Sequence, residues 1–315
     1  MNAMQHNTAL KAGRGQRAAV LMLLLAAFFW GSGNVANKTI LQDLDPFAAV
    51  TARNLVAIIV LLPFAFRDLI RVPSLAAWTK SAIVPSVFFA VATTLQQWGY
   101  QLTSVTNASF LVNTGCILTP IVGYFLLRER VTTCVVIAAV ITTIGAYLMS
   151  GAGHSLAAMN LGDVACLLSA AFYAGWMVAL SLHATRHGCP MATTCLQSVL
   201  TTILASTILV FFAPPQPGVL EHALPEIFYL GVFSTAIAFG LAAAAQAHVS
   251  ASTAAVVLAA ESLVGAGGGI LLLGERLGPQ QSFGAALMLF AIFIAALLPS
   301  LPAEFRMPLS EKREV

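Results

Sequence analysis

Charge is what this chain has least of. Of 315 residues, 15 are Lys or Arg and 12 are Asp or Glu, 9% together, against about 25% in a soluble domain. So thin a polar coat cannot cover a water-facing surface, which excludes soluble enzymes and soluble binding modules. The net charge of +3 comes with no basic stripe interleaved with aromatics, so nucleic acid is excluded as a partner. Cysteine is scarce too. Cys116, Cys134, Cys166, Cys189 and Cys195 form an odd set without a CxxC pair. A disulfide framework and a zinc site are therefore not expected; these are read as small apolar residues in apolar runs. No DxxD, GxSxG or HExxH occurs, which removes the usual means of metal, phosphate or acyl chemistry. No metal or cofactor is expected, and the chain is not read as an enzyme.

What the chain has in abundance is apolar sequence, 59% of residues. A membrane span needs roughly 20 mostly apolar residues. Segments of that kind lie at 18–40, 46–66, 77–100, 104–127, 131–150, 161–184, 190–212, 225–247, 250–273 and 279–299. The links are short and carry turn signals: Asp45-Pro46, Cys189-Pro190, Pro214-Pro215 and Gly278-Pro279. No soluble domain fits between them, which argues against a receptor. Lys11, Arg14 and Arg17 precede the first run as in a signal peptide. That run continues to about Ile40 without a small-x-small cleavage pattern, so it reads as an uncleaved helix.

Loop charge sets the expected orientation. With the N-terminus inside, Lys11, Arg14, Arg17, Arg67, Arg71, Lys80, Arg128, Arg130, Arg186, Arg306, Lys312 and Arg313 all fall inside, twelve of the fifteen basic residues. Arg276 falls on an outside loop, and Lys38 and Arg53 lie near outer helix ends. The expectation is an all-α integral membrane protein of ten transmembrane helices, with both termini cytoplasmic, in the cell (inner) membrane.

The chain also matches itself. Shifted by 144 residues, Leu23–Gly31 lies on Leu167–Gly175 with six of nine positions identical, and Pro46 lies on Pro190. Shifted by 146, Glu129-Arg130 lies on Glu275-Arg276, Gly123 on Gly269, Ala108 on Ala254 and Ser104 on Ser250. A two-residue insertion reconciles the shifts. The expected organisation is a tail at 1–17, a first repeat at 18–150, a second at 161–299 and a tail at 300–315. Five spans per repeat is an odd number, so the halves must enter the membrane in opposite senses. Inverted repeats of this kind are a transporter device.

These features together resemble the drug/metabolite transporter superfamily, in its EamA-like group. The resemblance covers nearly the whole chain. It is carried by Phe29-Trp30-Gly31-Ser32, Arg53, Thr103 to Leu111 with Pro120, and Arg128-Glu129-Arg130. In the second half it is carried by Ser234-Thr235-Ala236, Ala245 to Ala251, Glu261 and Leu273-Gly274-Glu275-Arg276. The family often has Pro after the ninth-helix Glu; Ser262 stands there in this chain. The resemblance implies a ten-helix exporter-like fold, with a central cavity lined by spans one, three, four, six, eight and nine. It also implies small-molecule substrates: amino acids, nucleobases, pigments or other metabolites.

Polar side chains within hydrocarbon are costly and usually face the bundle or a wet cavity. Glu261 is the clearest, near mid-span, with Gly115 as its repeat partner. It reads as a proton-linked or cation-binding carboxylate, or as a protonated Glu bonded to a neighbouring helix. Arg53, whose repeat partner is Gln197, could hold a substrate carboxylate with two hydrogen bonds; pairing with Asp43 or Asp45 is the favoured reading. Lys38 is similar but nearer the surface. The amides Asn34, Asn37, Gln97, Asn107, Asn113 and Gln246 offer donors and acceptors to a zwitterion, or bond between helices. Trp30 shares a helix face with Asn34, and Tyr173 with Trp176. The candidate substrate set is Trp30, Asn34, Gln97, Asn113, Tyr173, Trp176 and Gln246; the charge or coupling set is Glu261, Arg53 and Lys38. His183 and His187, four apart, read as flanking charge beside Arg186 rather than as metal ligands. Pro120 is expected to kink its helix.

The function expected is a secondary transporter exporting a small metabolite such as an amino acid by alternating access, with protons as a coupling partner. The alternatives are a multidrug or nucleobase exporter of the same fold, or a membrane-embedded transferase. The expected assembly is a monomer or a weak homodimer in the lipid bilayer.

Overall fold

Hydrocarbon offers a backbone no hydrogen-bond partner, so a chain this apolar must close its bonds within helices. The computed structural model describes residues 3–103, 105–127, 131–149, 159–212, 223–273 and 277–297, and among them the regular elements are all helices. The first half holds α1 (Ala3–Asp43), α2 (Pro46–Leu69), α3 (Leu75–Leu102), the pair α4 (Val105–Asn113) and α5 (Gly115–Leu127), and α6 (Thr133–Met149). The second half holds α7 (Leu161–His187) and α8 (Pro190–Phe212). Next comes a three-part rod of α9 (Leu224–Tyr229), a π-helical segment (Leu230–Ile237) and α10 (Ala238–Ala245). It closes with the pair α11 (Ala251–Leu258) and α12 (Ala260–Leu273), and α13 (Pro279–Leu297).

Eight of these rods are long and apolar enough to cross a membrane. The expected segments 131–150 and 279–299 correspond to shorter apolar helices, Thr133–Met149 and Pro279–Ala295. The outer surface is apolar as a lipid-facing surface must be, with Phe125 76% and Leu271 84% exposed. At the N-terminus α1 runs back to Ala3, through a segment with good helix formers such as Ala, Leu and Lys. The C-terminal tail at 300–315 lies outside the described residues.

Three pairs of helix starts keep nearly the same offset across the halves. α2 and α8 open on Pro46 and Pro190, where a first-turn proline leaves no bond unmade. α4 and α11 open at Val105 and Ala251, and α6 and α13 at Thr133 and Pro279, each pair 146 residues apart. Both middle rods are interrupted, at Thr114 and at Ala259. At Thr114 the ladder tightens, with Thr114 and Ile117 bonding three residues back, and Ser262 does the same to Ala259.

Packing joins the halves. α2 lies on α8, α3 on α7, α6 on α13, and α1 on α10, the π-helical segment and α12. Membrane helices lack a hydrophobic drive toward each other, so close approach rests on small residues. Gly145 and Gly284 show this: a Cβ on Gly284 would come within 2.6 Å of the Gly145 carbonyl. At the other end of α2, Asp68 accepts hydrogen bonds from the backbone N–H groups of Met191 (3.0 Å) and Ala192 (3.3 Å), capping α8 from another helix. Burial, with Asp68 beside it, pushes the Cys189 thiol above its ordinary value. His183 corrects the flanking-charge reading. It is buried, its Nδ1 lies 2.9 Å from Ser81 Oγ and its Nε2 2.9 Å from Thr193 Oγ1, so it ties α7 to α3 and α8.

Candidate functional site

A central cavity lies where the two halves meet. It is lined by α1 (Trp30, Gly33, Asn34, Asn37), α2 (Arg53), α3 (Gln96, Gln97, Tyr100), α4 and α5 (Asn113, Cys116, Thr119), and α7 (Tyr173, Trp176, Met177). The rod around the π-helical segment adds Ser234 and Phe239, and α11 and α12 add Leu258 and Glu261. The spans named from the family resemblance are all present, and α2 joins them through Arg53. Arg53, Asn37 and Tyr100 belong to the end of the bundle where α1 and α3 finish and α2 begins. The opposite end is filled by an apolar cluster that includes Ala19, Val20, Leu23, Ala245 and Val249.

Both helix interruptions reach the cavity, because Asn113 and Glu261 flank them. A proline lacks the N–H that continues a helix, but α11 and α12 part without one. There the Ser262 hydroxyl accepts a hydrogen bond from Asn113 Nδ2, which also donates to the Ser109 carbonyl at 3.0 Å. Pro120 lies inside α5 and not at its break. Gly31 of α1 packs against the turn that carries Glu261, with no room for a side chain between them.

The amides divide into two kinds. Asn37 and Gln97 satisfy each other: Gln97 Nε2 donates to Asn37 Oδ1 at 2.9 Å, with the return bond at 3.4 Å. Asn113 is similarly committed to the helix breaks. Asn34 stands on the cavity wall with no side-chain hydrogen bond to a described residue. Gln246 does not belong to the cavity at all. It is fully buried at the C-cap of α10, with Nε2 3.2 Å from Met177 Sδ. The Asn107 and Lys38 side chains lie outside the described residues.

Aromatic residues close the cavity floor. Trp30 and Phe239 have ring centroids 4.6 Å apart, Phe89 and Phe239 4.6 Å, and Trp176 and Phe239 5.8 Å. Trp30 is fixed by its indole N–H, which donates to the Ser234 carbonyl in the π-helical segment at 2.9 Å. Such segments expose carbonyls that an α-helix would use internally. Tyr173 O–H donates to Gln96 Oε1 at 2.7 Å and lies 3.2 Å from Thr93 Oγ1.

Two charges face this polar wall. The expected pairing of Arg53 with Asp43 or Asp45 is not what the structure holds. The Asp45 carboxylate caps α2 through the Phe47 N–H at 2.8 Å, and Arg53 turns into the cavity with its Nε lacking a hydrogen-bond partner among the described residues. Glu261 lines the same cavity, and neither charge has an ion-pair partner among the described residues. Tyr173 lies within electrostatic reach of both. No group of His, Cys, Asp and Glu suited to a metal ion occurs among the described residues.

A multi-pass helical bundle with a polar cavity between two halves suits a membrane transporter. The sequence profile of the EamA-like transporter family matches residues 17–151 and again 160–297. The chain belongs to the EamA-like transporter family. It is 29% identical over 280 residues to an uncharacterized transporter of Archaeoglobus fulgidus, covering 89% of this chain and 86% of that one. It is 24% identical over 292 residues to the uncharacterized transporter YwfM of Bacillus subtilis, covering 89% and 94%. A protein crystal structure shares the fold with a TM-score of 0.72 at 16% identity, over 88% of this chain and 96% of the other.

Proposed function

We propose that this transporter exports a small zwitterionic metabolite, such as an amino acid, by alternating access. The observation that carries this reading is the placement of Arg53 and Glu261 on one cavity with no ion-pair partner of their own among the described residues. An unpaired guanidinium is suited to a substrate carboxylate. An unpaired carboxylate is suited to an ammonium group or a transported proton, and the Asn34 amide on the cavity wall supplies further donors and acceptors.

The alternating step follows from two five-span halves, 18–150 and 161–299, inserted in opposite senses, with α6 and α13 completing ten spans. The shared register of helix starts and the two matches to one family profile support this reading. Loop charge supports cytoplasmic termini in the inner membrane. The end of the bundle where Arg53 lies is then the outer end. The aromatic floor of Trp30, Trp176 and Phe239 favours a second reading, in which a flat nucleobase or aromatic drug stacks there. Counterflow of labelled amino acids, nucleobases and cationic drugs in proteoliposomes decides between the two. Saturable exchange of nucleobases alone would set the zwitterion reading aside.

A further inference from the structure

The end of the bundle opposite Arg53 buries two glutamine side chains. Gln197 of α8 and Gln246 at the end of α10 are both fully buried. Neither amide atom of Gln197, nor the Gln246 Oε1, has a hydrogen-bond partner among the described residues. A buried polar atom left unmet costs about 1–3 kcal/mol, and Leu or Met in either place would avoid it. Both residues sit at the end opposite Arg53. Gln197 lies about two turns into α8, whose first turn is capped by Asp68 from the far end of α2. Gln246 borders the α10–α11 turn, where His248 approaches Gly15 of α1.

The repeat register gives these positions a meaning. Counting from Pro46 and Pro190, Gln197 is the counterpart of Arg53. Counting back from Ser104 and Ser250, which precede the paired starts Val105 and Ala251, Gln246 is the counterpart of Tyr100. Arg53 and Tyr100 both line the open cavity. Each unmet amide at the opposite end is therefore, in this register, the repeat mate of a side chain that lines the cavity.

We infer that Gln197 and Gln246 line the second, alternately exposed cavity, where they form a neutral hydrogen-bonding subsite for the polar part of the substrate. The inference rests on the alternating-access reading above. When the opposite end opens, the two halves exchange arrangements, and the amides move from a dry interface to an aqueous wall. The two faces then differ in charge: the substrate meets a guanidinium at one mouth and a glutamine amide at the other.

Single-cysteine chains test this. The five native cysteines, Cys116, Cys134, Cys166, Cys189 and Cys195, are replaced, and Arg53→Cys, Gln197→Cys or Gln246→Cys is added. A membrane-impermeant maleimide-polyethylene glycol is applied to right-side-out and inside-out vesicles. Arg53→Cys is expected to react from one face, and Gln197→Cys and Gln246→Cys from the other. If neither glutamine position reacts from either face while Arg53→Cys does and the cysteine-free parent carries flux, the subsite is overturned and alternating access stands. If all three react from a single face, alternating access itself fails. Should the cysteine-free chain not fold, Gln197→Met with Gln246→Met in the native chain gives the answer. It is expected to raise the melting temperature in detergent and slow exchange several-fold; a lower melting temperature with unchanged exchange overturns the inference.

Discussion

The side-chain amide of Asn113 donates to the hydroxyl of Ser262, so the interruptions of the two broken helices are tied directly to each other. One bond thus spans the halves beside Glu261, at the level where substrate is proposed to sit. Hydrogen bonds between membrane helices contribute about 0.6 kcal/mol on average and up to about 1.7. Asn113→Ala and Ser262→Ala are each expected to destabilise by about 1 kcal/mol, and the double variant by little more than either alone. Thermal unfolding in detergent measures this; additive losses would mean the two residues act separately.

Arg53→Ala is expected to weaken binding of a carboxylate-bearing substrate by about 10- to 100-fold, the equivalent of a charge-assisted hydrogen bond. Arg53→Lys recovers part of the loss, since an ammonium keeps the charge without the planar fork. Trp30→Ala and Asn34→Ala also shift affinity. Isothermal titration of the solubilised protein resolves the series, and unchanged affinity in all four variants would place the substrate elsewhere.

The all-helical, multi-pass character was legible in the sequence because it depends on bulk properties. Apolar length, basic loops and the paired prolines at 46 and 190 are linear signals, and helices in hydrocarbon follow from them. The cavity lining was partly legible, since Trp30, Asn34, Tyr173 and Trp176 share faces by helical spacing. What was not legible was which polar group bonds to which. Asn37 and Gln97 satisfy each other across two helices, 60 residues apart in sequence. Arg53 turns inward because Asp45 is already spent on a helix cap. His183 lies beside Arg186 in sequence, yet its ring faces inward to two hydroxyls on other helices. Gln246 could not be placed from its sequence neighbours, because it is buried against Met177 of another helix, 69 residues away.

Glu261→Gln keeps the shape of the side chain but cannot exchange a proton. Flux measured from acid to alkaline pH is expected to vary in the native chain and to be flat in the variant, with both unfolding at similar temperatures. A variant that retains the native pH profile would make Glu261 a structural residue.

Gly284→Leu is expected to separate α6 from α13, because the added side chain would drive into the Gly145 carbonyl and the Met149 backbone. Overpacking of this kind typically costs about 1–3 kcal/mol. Thermal unfolding should register the loss, and an unaltered midpoint would contradict the close contact of the two helices.

The most direct test of the account is counterflow of labelled zwitterionic amino acids into proteoliposomes preloaded with the same unlabelled compound, comparing the native chain with Arg53→Ala. Saturable uptake of at least one zwitterion by the native chain, reduced at least tenfold in Arg53→Ala, is the predicted result. Saturable zwitterion uptake that survives unchanged in Arg53→Ala, or no saturable uptake of any zwitterion, would contradict the assignment of the cavity between Arg53 and Glu261 as the transport site.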